Sequence, residues 1–375
     1  MLFVMKTTAI IFLSFLLFIS CHKEVEQPRT PKINETKDSI WSYNPANGFQ
    51  TVSFDEAGID STIIFSILQS ILDYQKTSAD FRSFLLLKGN RLVFEKYYDG
   101  SDENKLNNLK SVTKSITALL IGKSIELGLI KNVDQKLSDF FPEYFNDVND
   151  SLKEKITIQH LLTMSAGFKW NNFGGKYRSG WDLYKGNRHK YMITKTVMKS
   201  KPGETYNYNS GLSHMLSGII TNESKMKTEE FAKKYLFEPL GITNYKWTAD
   251  RNGYNLGNSE LFLTSRDMAK IGLLVLRKGY WYDHQLLNSE WVKEMLSPQI
   301  ETEGIGKKYS QYYGYQWWVK DYKNIRINFA AGYGGQYIFV IPEFDIVLVF
   351  TTNWRRSNVS FKPLEITEKL VDSFH

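Results

Sequence analysis

The chain has one cysteine, Cys21, in 375 residues. No internal disulfide can form, so stability must come from packing. No G-x-S-x-G occurs, which leaves an α/β-hydrolase elbow unsupported. No H-E-x-x-H and no paired Cys/His spacing occurs, and the six histidines are scattered; no metal and no cofactor is expected, and His160 reads as a packed residue of an apolar helix. Lys and Arg number 47 against 40 Asp and Glu, a net charge of +7. No basic block or RNA-type aromatic motif stands out, so no nucleic-acid partner is expected and the charge reads as a solvated surface. The longest apolar run, Ala9 to Ile19, is too short to span a bilayer stably. No internal repeat is present.

Hydrophobic residues make up 42% of the chain, enough for a large core in one two-lobed domain or two domains. Lys6 and the apolar run behind it suit a signal peptide over residues 1–20. The run ends Phe18-Ile19-Ser20-Cys21. A small residue before a lone cysteine resembles the lipobox of bacterial lipoproteins, which implies cleavage and lipidation at Cys21. The alternative is a secreted protein with an incidental cysteine. Residues 21–45, polar and carrying Pro28 and Pro31, read as a tether. Residues 46–375 are the expected domain, with a helical lobe at about 130–260. The expected location is the bacterial cell envelope, lipid-anchored on the periplasmic or surface side of a membrane.

The most informative stretch runs from Leu109 to Ile121. It predicts a helix opened by Ser111, with Ile116, Ala118, Leu119, Leu120 and Ile121 too apolar all round for a surface position. Ser111 and Lys114, three apart, share a face. A hydroxyl beside an amine at a buried helix N-terminus suits a nucleophile and its base, because desolvation lowers the amine's pKa and nearby N–H groups bind developing negative charge. S-x-x-K alone is a weak signal, and it occurs three times. Ser20–Lys23 ends the leader and Ser224–Lys227 lies in a polar run; only Ser111–Lys114 opens an apolar helix.

Elsewhere the periodicity predicts an amphipathic helix from Ile59 to Tyr74 and a hairpin of Ser83–Leu87 and Arg91–Tyr97. Helices are expected at Thr157–Gly167, Leu212–Ile220, Thr228–Phe237, Thr264–Arg277 and Leu364–Phe374, with loops from Phe173 to Lys190. Short strands are expected at Tyr313–Val319, Ile325–Phe329, Gln336–Ile341 and Ile346–Thr351. Strands at both ends and helices between imply an α+β fold with one antiparallel sheet built from the two termini.

Tyr206-Asn207-Tyr208-Asn209-Ser210-Gly211 follows a Pro202-Gly203-Glu204 turn and precedes a helix. Taken with the Ser111 helix, Val133–Phe141, Ile158–Gly167 and Gly332-Tyr333-Gly334-Gly335-Gln336, it resembles the serine β-lactamase-like hydrolases of the class C and DD-peptidase type. Five landmarks in order over residues 50–355 carry the resemblance. It implies a β-lactamase/transpeptidase-like fold, Ser111 as nucleophile, and Lys114 with Tyr208 as acid and base. The asparagine of the family's Tyr-x-Asn motif falls on Ser210. That serine still offers a hydrogen bond to Lys114 or substrate, as in the branch with aminohexanoate-dimer hydrolases and related esterases.

The family's third motif aligns with Ala330-Ala331-Gly332, which has neither cation nor hydroxyl. Their loss weakens recognition of a penicillin or D-Ala-D-Ala carboxylate; Arg326, Arg355 and Arg356 are candidate substitutes. Gly332 leaves room for substrate against its strand, and the N–H groups of Ser111 and Tyr333 are the implied oxyanion hole. The resemblance implies a small-molecule or peptide-like ester or amide substrate and an acyl-enzyme. Which of Lys114 and Tyr208 is the base stays open. The alternatives are a penicillin-recognising DD-carboxypeptidase or β-lactamase, and a non-catalytic binding lipoprotein.

Overall fold

The computed structural model describes residues 49–77, 81–146, 148–353 and 361–374. The leader, Cys21, the tether, Arg355 and Arg356 lie outside them. The described residues belong to one compact unit. No described helix is long and apolar enough to cross a membrane.

Phe81–Lys88 (β1) and Arg91–Tyr97 (β2) form the expected hairpin. Gly89 and Asn90 have φ of 57° and 72°, the pair of left-handed residues a two-residue turn needs. The other strands are Ile300–Glu301 (β3), Tyr312–Tyr313 (β4), Trp318–Tyr322 (β5), Ile325–Gly332 (β6), Gln336–Ile341 (β7) and Ile346–Thr352 (β8). They make an eight-stranded sheet in the order β2-β1-β8-β7-β6-β5-β4-β3, with every neighbouring pair antiparallel. The two chain ends thus share one sheet, and Phe84 of β1 stacks on Phe350 of β8 at 4.8 Å between ring centroids.

Every residue of β7 and β8 is buried, so both faces of the sheet are covered. Helix Ser265–Leu276 lies on β1, β7 and β8, and helix Val112–Glu126 on β6 and β7. The first and last helices, Ser61–Thr77 and Lys362–Asp372, pack on each other. The middle of the chain supplies a mostly helical lobe.

Three expectations fail locally. The helix expected over Thr157–Gly167 spans only Ile158–Leu162, with Met164 at φ 60° beyond it. Tyr313–Val319 is not one strand: β4 and β5 are split at Gly314–Trp317. Gln316 there takes φ 60° and turns its side chain inward, donating to the carbonyls of Leu161 (3.0 Å) and Leu162 (2.8 Å). The stretch from Phe173 to Lys190 is not all loop. It holds helix Gly175–Leu183 and the start of helix Arg188–Lys195. The second is capped by Asn187, whose Oδ1 accepts from the N–H groups of His189 and Lys190.

Candidate active site

Ser111 sits at the N-cap of helix Val112–Glu126, in which every residue from Val112 to Gly122 is buried. A helix enclosed on all sides is held by packing, so its first turn has little freedom. The approach to it is bent. Lys110 has φ 50°, a left-handed conformation that costs a non-glycine residue about 1–3 kcal/mol and persists only where neighbours enforce it. Here Lys110 N–H donates to Asn108 Oδ1 (3.0 Å), and its Nζ pairs with Glu260 Oε1 (3.0 Å). Asn108 Nδ2 reaches the other oxygen of Glu260 at 2.9 Å. The short strand Asn107–Asn108 pairs with Leu261–Leu263, fixing both sides of this clasp.

Lys114 is buried and donates from Nζ to Ser111 Oγ at 3.1 Å and to the carbonyl of Asn258 at 2.8 Å. Tyr208 comes from the distant loop before helix Ser210–Ser224, where Asn209 caps the helix by accepting from Gly211 N–H. Its ring lies 5.3 Å from Lys114 Nζ and stacks on Trp318 at 5.9 Å between centroids. Burial pushes the Lys114 amine well below its ordinary 10.5, and the charge of Arg178 pushes it the same way. Burial raises Tyr208 above its ordinary 10.0, against the opposing influence of the neighbouring Ser111 side chain and the charge of Arg178. Burial thus favours the neutral form of both groups, an uncharged amine and a protonated phenol, beside the Ser111 hydroxyl.

Ser111 and Tyr208 border a cavity of about 290 Å³, walled also by Ser210, Trp318, Ala331 and Tyr333 among others, with Lys114 buried behind Ser111. The remaining site residues expected from sequence are distributed as follows. Ser210 is on the wall, but the Lys114 amine bonds to Ser111 and Asn258 rather than to it. Tyr333 is on the wall and half exposed. Among the described residues neither its N–H nor that of Ser111 has a protein partner, as an oxyanion-binding pair requires. Gly332 has a different reason for its missing side chain than expected. A Cβ there would overlap the carbonyl oxygen of Leu109, so the glycine admits the chain's own bend before Ser111 rather than substrate. Arg326 is on β6 and pairs with Asp321 Oδ1 at 2.5 Å; it is not on the cavity wall.

Several wall residues were not legible as such: Asn172, Arg178, Asn258, Glu260, Ile305 and Tyr309. His160 and Glu204 each serve their own local structure. His160 Nδ1 accepts from Thr157 N–H, and Glu204 accepts from Lys201 N–H within its loop. Trp181 and Trp317 are core residues, whereas Trp318 faces the cavity and Trp170 an adjoining one. Among the described residues no group of three His, Cys, Asp or Glu side chains is placed to hold a metal ion.

Known proteins resemble this chain in sequence and in fold. The chain is 22% identical over 288 residues to a 6-aminohexanoate-dimer hydrolase of Paenarthrobacter ureafaciens, covering 72% of each protein. Its fold is similar to that of EstCE1, a hydrolase with promiscuous acyltransferase activity (TM-score 0.70, 14% identity, 83% of this chain and 98% of that one). It is also similar to the octameric penicillin-binding protein homologue of Pyrococcus abyssi (TM-score 0.62, 20% identity, 82% and 77%). The family model for β-lactamase matches residues 82–372. With that span matched and the sheet and helical lobe in place, the chain belongs to the β-lactamase family of serine hydrolases, with the β-lactamase/transpeptidase-like fold.

Proposed function

We propose that this protein hydrolyses an ester or amide through an acyl-enzyme on Ser111. The observation that carries the reading is the buried Lys114 amine, 3.1 Å from Ser111 Oγ at the edge of a cavity. Ser111 attacks the carbonyl carbon and its proton moves to Lys114. The opposed pKa displacements of the two partners favour the neutral amine, not an ionised Tyr208, as the base. The oxyanion rests on the N–H groups of Ser111 and Tyr333. Tyr208 passes a proton to the leaving group, the C–O or C–N bond breaks, and water then releases the acid and regenerates the serine.

An ester or linear amide is favoured over a penicillin or D-Ala-D-Ala peptide because Ala330-Ala331 puts neither cation nor hydroxyl at the strand position from which the family's third motif holds the carboxylate of those two substrates. The relative's aminohexanoate-dimer hydrolase name supports the same preference. Convergence of Ser111, Lys114 and Tyr208 argues against a non-catalytic binding role. The working location is the cell envelope, with Cys21 carrying lipid; metabolic labelling with an alkyne fatty acid should be lost in Cys21→Ser.

A panel of p-nitrophenyl esters, linear amides and nitrocefin tests the reading. Ester or amide turnover should fall by at least about a thousandfold in Ser111→Ala. Rapid Ser111-dependent nitrocefin hydrolysis would instead favour the β-lactamase alternative, and turnover that survives the substitution would exclude Ser111 as nucleophile.

A further inference from the structure

The cavity has a cationic wall residue on an element other than the strand where the family's third motif would supply one. Arg178, on helix Gly175–Leu183, lines the same cavity as Ser111 and Tyr208. The other charged side chains on that wall, Lys110 and Glu260, pair with each other at 3.0 Å. Arg178 Nε donates to Asp182 Oδ2 at 2.7 Å, and Asp182 is not on the wall. The guanidinium lies 5.2 Å from the ring centroid of the buried Trp181. Arg178 is thus held by an ion pair and by stacking before any ligand arrives. Among the described residues its two terminal nitrogens have no protein partner. A guanidinium fixed through Nε, with its terminal N–H donors open, matches the geometry of a carboxylate.

We infer that Arg178 receives an anionic group, a carboxylate, of the substrate, so that recognition of negative charge has moved from the β6 strand to the helical lobe. This inference rests on the hydrolase reading for its meaning but not for its test. The charge of Arg178 is already felt at Lys114 and Tyr208, which places it within electrostatic reach of the reacting groups.

The test is binding without chemistry. Glutarate and its neutral counterpart glutaramide are titrated calorimetrically into the Ser111→Ala protein, and again with Arg178→Gln or Arg178→Lys added. Glutarate should bind about ten- to a hundredfold more tightly than glutaramide. The preference should vanish in Arg178→Gln and partly return in Arg178→Lys, with thermal midpoints showing that each variant is folded. Equal binding of the two, no binding of either, or a preference that survives Arg178→Gln overturns the inference. Glutarate selectivity in a protein with no Ser111-dependent turnover would overturn the hydrolase reading and leave the anion site standing. Turnover without selectivity would do the reverse.

Discussion

Ser111 and Lys114 lie one helical turn apart, yet their chemistry depends on what surrounds the amine. In water a lysine stays protonated at neutral pH and cannot accept a proton. Here burial and Arg178 both lower its pKa, while burial raises that of Tyr208. Protonating Lys114 removes the base, so kcat/KM should fall as pH drops through the lowered amine pKa. Its plateau should begin well below 10.5 and hold beyond 10, because the phenol stays protonated there. A pH–rate profile that rises only near 10.5 would show a normal amine and contradict the assignment. Gly332 is equally local. Its Cβ-free position lets β6 meet the carbonyl of Leu109, and that contact supports the bend that aims Ser111.

Among the elements, the decisive tie is one side chain. Gln316, buried between β4 and β5, donates to the carbonyls of Leu161 and Leu162 and accepts from Ser213 of helix Ser210–Ser224. Its own carbonyl accepts from Ser115 of the Ser111 helix at 2.6 Å. Gln316→Leu would leave buried groups unpaired on two helical segments, at about 1–3 kcal/mol each. A fall in thermal midpoint of at least about 5 °C is expected, with loss of activity as Tyr208 shifts against Lys114; an unchanged midpoint would show that the tie is not structural. Nothing in sequence marks this glutamine, since its partners lie more than a hundred residues away. The elements that periodicity does mark came through well. The β1–β2 hairpin, the Ser111 helix, Ser265–Leu276 and the β6–β8 strands stand within a few residues of expectation. The helix bearing Arg178 did not, because Gly174-Gly175 and Gly180 punctuate it like a loop while its buried Trp181 anchors it in the core. Ser111, Lys114 and Tyr208 were legible because short motifs carry them. Asn258, Glu260 and Arg178 were not, because only the folded chain brings them to the cavity.

At the scale of the whole molecule, the sheet made from both chain ends supports the Ser111 helix, and the helical lobe supplies Tyr208 and Arg178. That lobe has its own polar core. His189 and His214 stack at 4.5 Å, and His214 Nε2 lies 3.2 Å from Asp250 Oδ2. Burial, with the neighbouring His214, pushes His189 from its ordinary 6.5 down to about 3, and burial lowers His214 as well. Between those values the unfolded chain binds more protons than the folded one, so stability is lost as pH falls through that window. The thermal midpoint should therefore drop between about pH 7 and about pH 5, less steeply in His189→Gln; a flat midpoint would mean that these histidines titrate normally. The central claim is that one serine, made nucleophilic by a neutral lysine where the two lobes meet, forms the covalent intermediate. The most direct measurement is intact-mass and peptide mapping after treatment with a fluorophosphonate, on wild type and Ser111→Ala side by side. A single adduct on Ser111, absent from the variant, is the expected result; an adduct on another residue, or one undiminished in Ser111→Ala, would contradict it.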